Sequence, residues 1–315
     1  MRYAIRKLVT MILTILMVSL LVFLAFSIIP GDPATQMLGT NATAQKLEAL
    51  RAQMGLDRPL LIRYLEWVKN FISGDMGISY SYHVPVRQML YDKLGIMLTL
   101  TGLSFLLIVL LSIPLGILTA KYYDRYFAKA FDVLNQLFMA IPPFFIGILI
   151  TYLFGLLMHL FTPGGFVSYK SDPWGYFLYM LTASFSIALP KAAMSMRLLK
   201  NSVLSEAKLD YVRTAYSRGN RTNQVLYRHV LRNALIPVVT FLGMTLADIV
   251  AGSIVIEQVF SIPGFGRLLI TSISNRDYPV AQAIIVIIAF LVVVINFIVD
   301  SLYPLIDPRV KKDEQ

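Results

Sequence analysis

Five ionisable residues interrupt long apolar runs in this chain: Lys191, Arg197, Asp248, Glu257 and Asp300. A charge at the centre of a lipid-facing helix costs about 2.5–3.5 kcal/mol, so such groups turn toward protein or water. Asp248, halfway along its run, is the best candidate for lining a polar pathway, with Lys191 beside it in the candidate set. Glu257 lies near the end of the same run and suits either a cationic group on an entering solute or a pairing with Arg267 or Arg276. Arg197 and Asp300 lie near the ends of their runs, where a side chain reaches the interface, and read as structural.

Other chemistries lack residues. The three histidines, His83, His159 and His229, are far apart, and neither H-E-x-x-H nor G-x-S-x-G occurs, so a zinc protease or a nucleophile-elbow hydrolase has nothing to stand on. There is no cysteine, which excludes disulfides and thiolate metal sites. No metal site and no cofactor is expected in this chain. The Walker A pattern G-x-x-x-x-G-K-[ST] is missing too, so if ATP drives any process here, another subunit supplies it. Scattered intramembrane acids are also a poor match to the ion-coupling sets of secondary transporters.

The elements that carry these residues are membrane helices. Of 315 residues, 57% are hydrophobic and only 15% charged, and the mean hydropathy is +0.67, against roughly 25% charged residues in soluble domains. Apolar spans fall at Leu8–Ile29 and near 96–120, 133–158, 176–199, 237–259 and 281–303, each long enough to cross about 30 Å of hydrocarbon. The first is too long for a signal-peptide core and reads as a retained helix. Prolines within spans, Pro114, Pro142–Pro143 and Pro190, predict bends.

Three basic residues lie in 1–7, three in 121–132, seven in 200–236 and three in 304–315, against only Lys170 in 159–175 and Arg267 and Arg276 in 260–280. Short loops rich in Lys and Arg stay cytoplasmic, so both termini and the 200–236 loop are expected inside. The expected fold class is all-α integral membrane, with six transmembrane helices. Residues 1–29 form the cytoplasmic N-terminus and first helix, 30–95 an extracytoplasmic arm, 96–303 a five-helix core and 304–315 a cytoplasmic tail. In the arm, "LEALRAQMGL" and "LIRYLEWVKNFIS" repeat apolar residues at helical spacing.

The loop between the fourth and fifth spans contains "DYVRTAYSRGNRTNQVLYRHVLRN", residues 210 to 233. Apolar positions recur every three to four residues from Leu204 through Tyr216, Gly219 is a natural left-handed stop, and a second stripe runs from Val225 to Ala234 after a cap at Asn220 or Thr222. Two short helices at the inner membrane face result. They could bind anionic headgroups or dock a partner that moves the bundle. Tethering at both ends argues against a nucleic-acid role.

"RTAYSRG", followed after nine residues by "HVLRNALIP", resembles the cytoplasmic coupling loop of ABC importer permeases in the dipeptide, oligopeptide and nickel permease family. "IPGDPA", "GLDRPLLIRYLEWV", "GDMGIS", "PVRQML", "IPLGI", "VIEQVFSIPGFGRLL", "NRDYPVAQ" and "DPRV" extend the resemblance to its B-type subunit over nearly the whole chain. The glutamate that begins the broader permease pattern is missing here, with Arg213 in its place, as in this subfamily.

The resemblance implies a bacterial inner-membrane subunit that pairs with a related C-type permease subunit, two cytosolic ATP-binding subunits that bind ATP and Mg, and an extracytoplasmic substrate-binding protein. It assigns Arg213, Thr214, Ala215, Gly219, His229, Arg232 and Asn233 to ATPase docking. Gly264, Arg267, Arg276 and Asp277 become candidates for contact with the binding protein. Di- or oligopeptides are the expected cargo, with a nickel or metal chelate or a glutathione-like molecule as alternatives. A channel or secondary transporter is the alternative class.

Overall fold

The computed structural model describes residues 2–28, 33–38, 43–53 and 55–306; most of "IPGDPA" and all of "DPRV" lie outside them. The described residues are helical apart from turns and one antiparallel bridge between Ile78 and Pro85. Among the described residues, five helices are long and apolar enough to cross a membrane: α1 (Arg2–Ile28), α5 (Val86–Lys121), α8 (Pro173–Glu206), α12 (Ile236–Val259) and α14 (Tyr278–Ile306).

The predicted third span is not one rod. It divides into α6 (Tyr126–Ala140) and α7 (Pro143–Ile150), the latter continuing as a π-helical turn over Thr151–Leu157, with a bend of 104° between the two arms. The cause is Pro142–Pro143. Ile141, forced out of the helical region by the proline that follows, is extended at φ −90 and ψ 126, while Pro143 starts the next helix where no backbone donor is needed. Counted as one crossing, the bent pair makes six. Pro114 and Pro190, by contrast, lie inside α5 and α8, which continue past them.

The chain divides into two compact units, residues 1–97 with 263–293, and 98–262 with 294–315. In the first, α2 (Pro33–Leu38), α3 (Ala44–Gln53) and α4 (Leu60–Ile72) form the arm, followed by the start of α5; α13 (Phe265–Ser274) and the first part of α14 complete the unit. The arm is joined to the first span. Tyr64 of α4 donates to the Leu16 carbonyl at 3.1 Å and meets the Ser19 hydroxyl at 2.9 Å, and Phe23, Tyr64, Trp67 and Phe71 form a continuous aromatic cluster. These α1 residues lie within the apolar run that crosses hydrocarbon, so Leu61 and Leu65, exposed on α4, share the environment of the span they flank.

In the second unit α8 is the hub, packed against α6, α7 and α12. It buries Ala183, Ser184, Ser186, Ala188, Ala192, Ala193 and Ser195, small residues that allow backbones to approach without a hydrophobic drive from lipid. Gly116 of α5 shows how close: a Cβ there would stand 2.9 Å from Leu199 Cδ2. The α6–α8 contact carries a clamp missed in the sequence, since Lys200 Nζ, nearly buried, reaches both oxygens of Asp132 at 2.6 and 2.8 Å.

Candidate functional site: the segment joining α8 and α12

The fourth span runs further than periodicity suggested. Leu204, expected to open the first loop helix, belongs to α8, whose end at Glu206 is followed by a turn over Ala207–Leu209. The loop helix is α9 (Asp210–Ser217). It ends in a left-handed corner in which Gly219, at φ +81, donates to the Tyr216 carbonyl and Asn220 donates from both its backbone and its side chain to the Ala215 carbonyl. The second helix starts at Thr222 as α10 (Thr222–Gln224), passes through a π-helical turn over Val225–Val230 and ends as α11 (Leu231–Ala234). Asn220 and Thr222 do not cap it; Arg221 holds the cap position, its backbone N–H donating to the Gln224 side chain at 3.1 Å.

Val212 and Ala215 on α9 and Val225, Leu226, Val230 and Ala234 on the second helix are buried, and α9 packs on the π turn. These residues form a small core that makes the two helices one body. Tyr211 ties that body to its roots, donating to Glu206 at 2.6 Å and accepting from Asn233 Nδ2 at 3.2 Å. α11 packs on α8, and only Leu235 separates it from α12.

The seven residues assigned to docking therefore divide. Arg213, Thr214, Gly219 and Arg232 are exposed, His229 and Asn233 are half-buried, and Ala215 is only 6% exposed and faces the internal core. Arg218, Arg228, Tyr216 and Tyr227 extend the exposed cationic and aromatic face. The π turn carrying His229 was not legible, because its i+5 spacing differs from the helical stripe only by one residue.

The pathway candidates also separate. Lys191 and Asp248 meet across the α8–α12 contact, Nζ to Oδ2 at 2.8 Å, with side-chain exposures of 27% and 62%. Glu257 is wholly enclosed and lines no open face in this conformation. Arg197 and Asp300 are exposed.

Of the candidates for contact with a binding protein, Arg267 and Arg276 are exposed, whereas Gly264 and Asp277 are buried. Arg276 is left-handed at φ 57, which turns the following carboxylate inward. Asp277 accepts from the Ser79 hydroxyl and from the backbone N–H groups of Tyr80 at 3.0 Å and Ser81 at 3.4 Å. It anchors the 79–82 turn of the arm, and its burial removes it from direct contact with a partner. Burial, and then the Asp277 charge, push the Tyr80 phenol up to about 12.

The family's sequence model, described as "Binding-protein-dependent transport system inner membrane component", matches residues 112–312, which hold α8, the coupled helix pair and α12. The chain belongs to this family. The model of the matching N-terminal component covers residues 1–101 of the permease, which include α1 and the arm. The permease is 33% identical over 309 residues to a "Probable peptide ABC transporter permease protein" of Sinorhizobium fredii, covering 98% of this chain and 99% of the relative. It is 34% identical over 311 residues to the glutathione transport system permease protein GsiC of Shigella boydii, covering 99% of both. It is thus an ABC importer permease, a transport subunit.

Proposed function

We propose that this permease forms half of the translocation pathway of an ATP-driven, binding-protein-dependent importer of short peptides, glutathione-like tripeptides included. The observation that carries the reading is end-to-end similarity to permeases whose names give peptide and glutathione as cargo. These cargoes share a chemistry: amide bonds with a free ammonium and free carboxylates. A related permease subunit forms the other half, two ATP-binding subunits hold ATP and Mg, and an extracytoplasmic binding protein delivers the peptide. The complex lies in the bacterial inner membrane with both termini of this chain in the cytoplasm, a reading that the distribution of Lys and Arg supports.

The internal core of the helix pair suggests how force passes. An ATP-binding subunit seated on Arg213, Thr214, Tyr216 and Arg218 pushes a rigid body, because Val212, Ala215, Val225 and Leu226 leave no slack between its helices. Two connections carry the displacement onward: the Glu206–Tyr211–Asn233 chain into α8, and the short Leu235 joint into α12. ATP binding thus turns the pathway outward and hydrolysis resets it.

The test is uptake of labelled dialanine, trialanine and glutathione by proteoliposomes holding the complete complex. ATP-dependent uptake that requires the binding protein is expected. Uptake without ATP, or none of any probe, would reject the assignment.

A further inference from the structure

Two transmembrane ion pairs among the described residues of the second unit are built differently. Lys200 is nearly enclosed and takes both Asp132 oxygens, as a structural clamp does. Lys191 reaches one oxygen of Asp248, and the Asp248 side chain stays 62% exposed although it lies midway along α12. At that depth an open carboxylate is costly against lipid, so this face of α12 borders water or polar groups. The surroundings leave room. Ala251 and Gly252 are exposed one turn further along α12, where a Cβ on Gly252 would meet nothing within 4 Å. One turn toward the coupled helix pair stand Met194 on α8 and Met244 on α12, 41% and 61% exposed, unbranched side chains that adapt to varied apolar shapes.

An anion and a cation side by side, with space next to the anion and pliable walls, match a solute that carries both charges. We infer that Lys191 and Asp248 form an exchange site for the terminal charges of a zwitterionic peptide. The substrate ammonium takes the place of Lys191 on Asp248, and the substrate carboxylate takes the place of Asp248 on Lys191. When the peptide leaves, the two side chains close on each other, so the empty pathway never holds an unpaired charge. The methionines accept the variable side chains, which fits selection by charge pattern rather than by residue type. This inference rests on the peptide-importer reading.

The decisive variant removes both charges together, Lys191→Met with Asp248→Leu, because deleting a purely structural pair in favour of apolar residues is close to neutral whereas breaking one partner is not. The complete complex is purified and reconstituted, and three quantities are read: retention of partner subunits, basal ATPase rate, and uptake of labelled trialanine and glutathione. Retained subunits and ATPase with uptake lowered at least about tenfold, the loss of a charge-assisted contact, is the expected result. The exchanged pair, Lys191→Asp with Asp248→Lys, should recover uptake, since a zwitterion can bind either way round. Wild-type uptake in the double apolar variant would overturn the inference. Loss of a partner subunit from that variant would overturn it too, and would assign the pair to a subunit interface. Absence of uptake by the wild-type complex would instead reject the peptide reading itself.

Discussion

Gly219 needs its left-handed backbone, and the space a side chain would occupy is open. The demand at this position is therefore conformational within the chain, and bulk matters only against a docked partner. Gly219→Ala should lower stability by about 1–2 kcal/mol, and Gly219→Asn by less, because asparagine tolerates this region. Thermal unfolding of the purified permease in the two variants checks the order. Tyr80 offers a second test at this scale. Its phenol is raised from 10.0 to about 12, so the stability it contributes is fully present below about pH 10 and is lost as pH rises through about 12. A Tyr80→Phe variant should abolish the part of the tyrosinate absorbance titration that appears only near pH 12. Asp277 shows the limit of reading residue types: a polar motif looks exposed in a line of letters, and only the left-handed Arg276 reveals that its carboxylate turns inward.

At the scale of elements, the spans were legible because hydrocarbon demands about 20 apolar residues and little else imitates that signal. What the apolar runs could not convey was direction. Pro142 and Pro143 read as a bend, but the 104° angle depends on Ile141 and Pro142 leaving the helix while Pro143 starts a new one. Replacing both with alanine should let the helix continue. Spin labels at positions 127 and 154 should then move from about 25 Å to about 40 Å apart at 1.5 Å per residue; an unchanged distance would mean that packing against α8, not proline, sets the bend. The α6–α8 clamp gives the other element-scale test. Asp132→Ala leaves the Lys200 ammonium nearly buried without its carboxylate, which should cost on the order of 2 kcal/mol after allowance for the half-exposed acid. Lys200→Met in the same background should restore most of that loss in denaturant titrations.

For the whole molecule, the decisive feature is that one rigid helix pair is rooted in the two helices that hold the exposed ion pair. Lys191 lies about 22 Å along α8 from Glu206, and Asp248 about 18 Å along α12 from Ile236, at 1.5 Å per residue. A push on the pair reaches both charges through continuous helix. On the proposed function, in which other subunits supply the force and the second half of the pathway, the isolated permease in liposomes should pass no labelled peptide; solute flux without them would indicate a channel.

Sequence by itself determined the membrane class, the number of apolar runs and the family, because hydrophobic length and a long ordered set of motifs survive without coordinates. It also located the helix pair between the fourth and fifth spans and its Gly219 corner, since helical period and a glycine stop are local properties. Tertiary structure alone decided which polar groups meet. Lys191 with Asp248, Lys200 with Asp132, and Asp277 with the 79–82 turn are pairings between distant segments, and they depend on how helices rotate about their axes when small residues let them close. Rotation of that kind leaves no mark on composition or spacing, so the charges were visible from the start and their partners were not.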